Sequence, residues 1–142
     1  MNDRFSARAW IMINAPASRV WKALVDPEAI SQYMFGTKVV SDWQKGSTII
    51  WRGEWHGKAY EDRGMILQFE PERALQYSHY SPLSGMPDTL ENRHIVSIEL
   101  TTRGAQTLLS LTQDNNVNEQ ERDHSIKNWQ MTLSALKRFV EQ

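Results

Sequence analysis

Large apolar side chains recur along the last part of the chain with the period of an α-helix. They are spaced by three, four, three and four positions, which places them on one helix face: Ile126, Trp129, Leu133, Leu136 and Val140. Asn118 and Glu121 have the spacing of a capping box at the start of this segment. The pattern predicts a helix from Asn118 to Gln142, about 36 Å long, whose apolar face other parts of the chain must cover.

Upstream of this helix, apolar and polar residues alternate with the period of β-strands. The predicted strands are 5–14, a short one at 39–40, then 48–55, 60–70, 75–80, 93–102 and 107–114. Two short helices, at 20–25 and 28–34, separate the first strand from the second. Gly57 is expected in a hairpin turn, and Gly64 indicates a bulge or bend inside its strand.

The order of these elements predicts an α+β fold, in which an antiparallel sheet of seven strands packs against helices. Such a sheet twists, and bulges curve it further. A curved sheet around one long helix is difficult to fill at both ends. We therefore expect a pocket between the sheet and the C-terminal helix, closed at one end by the two short helices.

Composition limits the remaining possibilities. A chain of 142 residues is expected to form one domain over residues 1–142. Its net charge of −1 gives no reason to expect nucleic acid or an anionic membrane as a partner. Cysteine is absent, no apolar run is long enough to span a membrane, and residues 1–10 lack the order of a signal peptide. The expected location is cytoplasmic.

The segment IMINAPASRVWKALVDPEAISQYM resembles the opening of the SRPBCC superfamily, in the branch named after the activator of the heat-shock-protein-90 ATPase. The residues that carry this resemblance are Ala15, Pro16, Val20, Trp21, Leu24, Asp26, Pro27 and Glu28, with Tyr33 where the family more often has Trp. Gly64, Glu70-Pro71 and Trp129 also match, so the similarity covers nearly the whole chain. It implies the helix-grip fold, in which seven antiparallel strands grip the C-terminal helix over a hydrophobic cavity.

Motifs for catalysis or cofactor binding are missing from the sequence. It has no HExxH, no Gly-x-Ser-x-Gly elbow and no phosphate-binding glycine loop, so no metal and no cofactor are expected. Glu54 and His56 share a strand face and could form an acid–base pair, but are more simply solvent-facing hairpin residues. Glu61, Asp62 and Glu70 are interpreted as a solvated strand face and a turn.

The candidate site is instead an apolar wall with a few polar groups, as small-molecule pockets require. Counting alternate positions inward from Leu75 and Leu111 identifies its members. The predicted ligand-binding residues are Trp129, Tyr77, His79, Gln113, Leu133, Val96 and Ile98. The long segment Ser81–Asn92 is expected to control access. The leading interpretation is a non-catalytic binding protein for a small aromatic or lipid-like molecule.

Two other functions remain open. The superfamily that the chain resembles has cyclase and dehydratase members. The first alternative is therefore an enzyme that uses His79, or Glu54 with His56, as its acid and base. A co-factor of a chaperone ATPase is the second, and it ranks last because a counterpart of the eukaryotic activator's additional N-terminal domain is not expected. The protein is expected to be a monomer or a homodimer, because the edges of an open sheet can pair.

Overall fold

The computed structural model describes residues 5–142, apart from the side chains of Trp55, Leu83 and Leu90. Residues 1–4 lie outside the described part, and with them the start of the segment that lacks the order of a signal peptide. In chain order the elements are β1 Ala7–Ile13, α1 Ala17–Leu24, α2 Pro27–Tyr33, β2 Lys38–Ser41, β3 Thr48–Trp55, β4 Lys58–Glu70, β5 Ala74–His79, β6 His94–Arg103, β7 Gln106–Gln113 and α3 Glu119–Val140. Two single 3₁₀ turns, Pro82–Ser84 and Leu90–Asn92, interrupt the segment between β5 and β6.

The seven strands form one antiparallel sheet in the order β1-β7-β6-β5-β4-β3-β2. Neighbours along the chain are neighbours in the sheet, except that β1 crosses to pair with β7. This leaves β1 and β2 as the two edges. The long helix α3 lies against β1, α1 and α2, so the sheet and the helices enclose a common core. The predicted α+β class and helix-grip fold are confirmed.

Helix α3 forms as its sequence predicts at the N-terminal end. The Asn118 side chain accepts a hydrogen bond of 2.8 Å from the backbone N–H of Glu121, which satisfies one donor that the helix itself leaves unpaired. On the apolar face Leu133, Leu136 and Val140 are buried against the sheet and the short helices. Trp129, one turn nearer the N-terminus, packs against the same core while remaining partly exposed.

The hairpin between β3 and β4 has two connecting residues, His56 and Gly57, both with positive φ. This is the geometry that matches the twist of paired strands, and it confirms the left-handed conformation expected at Gly57. Strand β4 pairs from Lys58 onward, two residues earlier than predicted.

The irregularity expected at Gly64 lies elsewhere in β4. The register between β4 and β5 shifts between Ile66 and Gln68, so the prediction of a bulge at Gly64 was wrong by a few residues. Gly64 has a different role, because a Cβ atom there would lie 1.7 Å from the backbone oxygen of Ser78. The glycine permits a close approach of two backbones, which sequence alone does not distinguish from a bulge.

None of the helices formed by residues 5–142 combines the length and the apolar character needed to cross a membrane.

Candidate functional site

Three adjoining hollows lie between the sheet, α2 and α3. The first, here called the apolar hollow, has a volume of about 40 Å³ and is walled by residues such as Leu24, Ile30, Ile49, Leu75 and Leu133. The second, the mixed hollow, has a volume of about 130 Å³. The third, the outer hollow, measures about 230 Å³ and opens more widely to solvent beside Ser125 and Asn128 of α3. Met34 and Trp129 line all three, so these two side chains divide one larger space.

The seven residues predicted to bind a ligand lie together around these hollows. Ile98 and Leu133 line the apolar hollow, and His79, Val96 and Gln113 line the mixed hollow. Tyr77 and Trp129 line both. Alternation along β5, β6 and β7 and the helical period of α3 were therefore sufficient to bring them to one region. That they contact a ligand stays a prediction.

Asp62 also lines the mixed hollow, although it is not among the residues predicted from the sequence to bind a ligand. Its side chain is 14% exposed, so the interpretation of Asp62 as part of a solvated strand face was wrong. On β4 the residues of one parity, Tyr60, Asp62, Gly64 and Ile66, are progressively more buried, while Glu61 and Arg63 face solvent. Counting back from Ile66 would have placed Asp62 on the inner face. The three acidic residues in this stretch concealed that signal.

The Asp62 carboxylate is only half satisfied. Its Oδ2 lies 2.9 Å from Nε2 of His79, while its Oδ1 is buried and has no hydrogen-bond partner among the residues that the structure describes. Leaving a buried acceptor unpaired costs about 1–3 kcal/mol. The His79 ring is held by an edge contact with Trp51 at a centroid distance of 4.9 Å and is stacked on His94 at 6.4 Å.

In the antiparallel pairing of β3 with β4, Trp51 lies directly opposite Asp62. Side chains in such a pair lie next to each other on the same face. Trp51 also packs against Tyr77 with the ring centroids 5.1 Å apart. The carboxylate on β4 therefore lies between aromatic rings from the two neighbouring strands, Trp51 of β3 and His79 of β5.

Tyr60 closes the β3 side of the mixed hollow. The Thr37 hydroxyl donates to the backbone carbonyl of Met34 at 2.9 Å, so the Tyr60 hydroxyl, 3.0 Å away, donates to Thr37. The Tyr60 ring lies over Gly53, where a Cβ atom would come within 2.7 Å of its hydroxyl oxygen. The chain between α2 and β2 is thereby attached to the sheet at the edge of the hollow.

Gln113 holds Trp129 in place. The indole N–H of Trp129 donates to Oε1 of Gln113 at 2.7 Å, and Nε2 of Gln113 donates to Asn116 and Ser125 at 3.2 Å each. Its amide is thus already engaged with protein groups at both ends. In this arrangement Gln113 orients the indole ring of Trp129.

The phenol of Tyr77 stays neutral in this setting. Burial raises its pKa above the ordinary value, because the charged phenolate would lose its hydration. The same holds for Tyr33, whose pKa is raised first by burial and then by the nearby Tyr77 and Asp26. A neutral phenol at the boundary of the apolar and mixed hollows can both donate and accept a hydrogen bond.

The other candidate features of the sequence lie away from the hollows. Glu54 and His56 are exposed on the β3–β4 hairpin, as the simpler interpretation expected. Within residues 5–142, no group of three or more acidic or histidine side chains has an arrangement that could hold a metal ion. The Ser81–Asn92 segment contributes none of its described side chains to the three hollows, and its role in access stays a prediction.

Comparison with known proteins gives a family and a set of similar folds. The sequence model for the family described as "Activator of Hsp90 ATPase homolog 1-like protein" matches residues 14–141. None of the curated proteins matches the chain.

Among solved structures, the chain is similar to ChR145 from Cytophaga hutchinsonii, with 55% identity and a TM-score of 0.86 over 99% of this chain and 97% of that one. CalU16 from Micromonospora echinospora is 27% identical, with a TM-score of 0.76 over 95% and 75% of the two chains. The Aha1 dimer from Colwellia psychrerythraea shares the fold at 20% identity, with a TM-score of 0.74 over 96% of each chain.

Proposed function

This chain belongs to the Activator of Hsp90 ATPase homolog 1-like family, and from that premise we propose that it binds a small, largely apolar ligand between its sheet and α3. The mixed hollow carries the proposal. Its walls are mainly aromatic, with the apolar side chains of Met34 and Val96, and the polar lining residues are Thr37, Asp62, His79 and Gln113. This combination of apolar walls with a small number of placed polar atoms is what binding and orienting a small molecule requires.

The volume of the mixed hollow limits the size of the ligand. An engineered protein cavity of about 150 Å³ binds benzene, and the mixed hollow measures about 130 Å³. It therefore accommodates one aromatic ring or an aliphatic group of similar size. Pockets for drug-sized molecules usually measure about 300–1,000 Å³, so a larger ligand requires the side chains of Met34 and Trp129 to move.

Leu133 offers a test of this size limit, because its side chain is buried and lines the apolar hollow. Replacing it in Leu133→Ala enlarges the space beside Tyr77 and Trp129. We expect calorimetry to detect toluene but not naphthalene binding to the natural protein, and both binding to Leu133→Ala. The substitution lowers the free energy of unfolding by about 2–5 kcal/mol.

Leu100→Ala is the matched control, because Leu100 is buried in the same core and does not line any of the three hollows. It loses stability in the same way but is expected to leave the preference for toluene unchanged. If Leu133→Ala and Leu100→Ala gave the same ligand preference, the binding site would not lie beneath α3 and the proposal would fail.

A further inference from the structure

One carboxylate oxygen of Asp62, a residue that lines the mixed hollow, lacks a hydrogen-bond donor in the described part of the chain. Oδ1 of Asp62 is buried without a hydrogen-bond partner among the described residues, while Oδ2 is engaged by His79 at 2.9 Å. A carboxylate oxygen accepts hydrogen bonds and donates none. A ligand that fits the hollow and satisfies Oδ1 must therefore present an N–H or O–H group.

The charges and aromatic rings near Asp62 favour one kind of donor group over the other. Asp62 is the one carboxylate that lines the mixed hollow, and no Lys or Arg accompanies it among the described lining residues. Aromatic side chains make up much of the remaining wall: Trp51, Tyr60, Tyr77 and Trp129. The faces of such rings carry negative electrostatic potential and attract organic cations.

His79 engages one of the two oxygens of the Asp62 carboxylate. Its Nε2 contacts Oδ2, and its ring is packed against Trp51 and His94. With Oδ2 engaged by His79, Oδ1 is the carboxylate oxygen that has no partner among the described residues. His79 is a positioning residue in this arrangement.

We propose that the mixed hollow takes a small protonated amine, whose ammonium group donates to Oδ1 of Asp62 while its apolar body packs among the aromatic rings. This inference rests on the proposed function and adds the chemical class of the ligand. An ammonium group forms a charge-assisted hydrogen bond with a carboxylate, which is stronger than the bond from a neutral hydroxyl. The same charge gains from the aromatic faces, which a hydroxyl does not.

Three probes of nearly equal size and shape separate these contributions: benzylamine, benzyl alcohol and toluene. Calorimetric titration of the natural protein at neutral pH is expected to give a dissociation constant for benzylamine at least about tenfold below that for benzyl alcohol. Toluene is expected to bind through the apolar walls alone. This comparison needs no variant, so it does not depend on how any substitution affects folding.

Asp62→Asn then removes the charge while keeping the size of the side chain. We expect it to abolish the advantage of benzylamine over benzyl alcohol. Glu61→Gln is the matched control, since Glu61 is the next residue on β4, is 51% exposed and pairs with Arg52 at 2.8 Å on the opposite face. It should leave the binding of all three probes unchanged.

Each possible result decides between the two proposals. Toluene or benzyl alcohol binding as tightly as benzylamine would overturn the assignment of an amine while supporting the apolar pocket. An advantage of benzylamine that survives in Asp62→Asn, or disappears in Glu61→Gln, would place the ammonium elsewhere and also overturn it. Failure of all three probes to bind would contradict both proposals.

Discussion

Gly64 shows how one residue without a side chain shapes the wall of the site. At this point β4 and β5 approach so closely that a Cβ atom on Gly64 would lie 1.7 Å from the Ser78 backbone oxygen. On one side of the contact Arg63 and Tyr80 exchange backbone hydrogen bonds of 3.0 and 2.8 Å, and on the other side Ile66 pairs with Tyr77. Ser78 lies between Tyr77 and His79, so the contact at Gly64 sets the position of two residues of the site.

Gly64→Ala is therefore expected to destabilise the protein by about 3 kcal/mol, because a methyl group must displace backbone rather than a flexible side chain. Chemical denaturation measures the change in the free energy of unfolding. Gly104→Ala provides the control: Gly104 has φ of +63° but open space around it, so its cost is limited to about 1–2 kcal/mol of backbone strain. Equal losses in the two variants would show that β4 can move away from β5 and that the close contact is unimportant.

The inward position of Tyr77 and His79 could be predicted because both follow Leu75 at alternate positions of β5. The position of Asp62 was missed for a physical reason. A carboxylate is rarely buried unless it is paired, so an acidic residue on a strand is normally interpreted as solvated. Its partners, His79 on β5 and Trp51 on β3, come from strand pairing that the sequence does not specify.

At the scale of elements, the Ser81–Asn92 segment is attached to the sheet by one charged cluster. Asp88 accepts from Nε of Arg93 at 2.9 Å and from Nε of Arg63 at 3.0 Å. The Tyr80 hydroxyl donates to the backbone oxygen of Met86 at 2.6 Å. The sequence predicts this segment to be a loop without regular structure, yet it is held by Arg63 of β4 and by Arg93, which directly precedes β6.

These contacts make the attachment of the segment dependent on pH. The pKa of Asp88 is lowered, first by the hydrogen bond from Arg93 and also by the charges of both arginines. The folded state therefore binds a proton at Asp88 less readily than the unfolded state does. The ionised Asp88 side chain contributes to stability at pH values above the ordinary pKa of aspartate, about 4. This contribution is lost as the pH falls through the lowered pKa of the folded state.

Asp88→Asn is accordingly expected to be less stable than the natural protein at neutral pH, with the difference shrinking as the pH is lowered from about 5 to 2. Urea denaturation at a series of pH values measures it. Asp123→Asn, which removes a carboxylate that is 62% exposed on α3, serves as the control and should show a smaller pH-dependent difference. A difference for Asp88→Asn that stays constant down to pH 2 would contradict the role assigned to the two arginines.

Helix α3 was the most predictable element, because its cap and its apolar period are both local features of the sequence. Asn118 caps it as expected, and its last residue, Val140, is two residues before the predicted end. The bulge between Ile66 and Gln68 could not be placed in this way. It depends on how β4 pairs with β5, which are joined by a turn at Glu72 with φ of +67°.

For the whole molecule, the order of the elements was enough to predict a sheet that grips one helix with space between them. The size of that space was not predictable, because it depends on single side chains. Met34 and Trp129 project into it and separate hollows of about 40, 130 and 230 Å³. Protein interiors are packed so closely that one methyl group changes the volume left for a ligand. The periodicity of apolar residues in the sequence does not specify side-chain positions that accurately.

The central claim, that a small apolar ligand binds beneath α3, is tested most directly by the indole N–H signals of the tryptophans during a titration with toluene. A two-dimensional ¹H–¹⁵N spectrum resolves them individually. Trp51 and Trp129 line the mixed hollow, whereas Trp10 is 71% exposed on the edge strand β1. We predict saturable shifts for Trp51 and Trp129 with Trp10 unchanged; no shift at Trp129, or shifts of equal size at Trp10, would contradict the account.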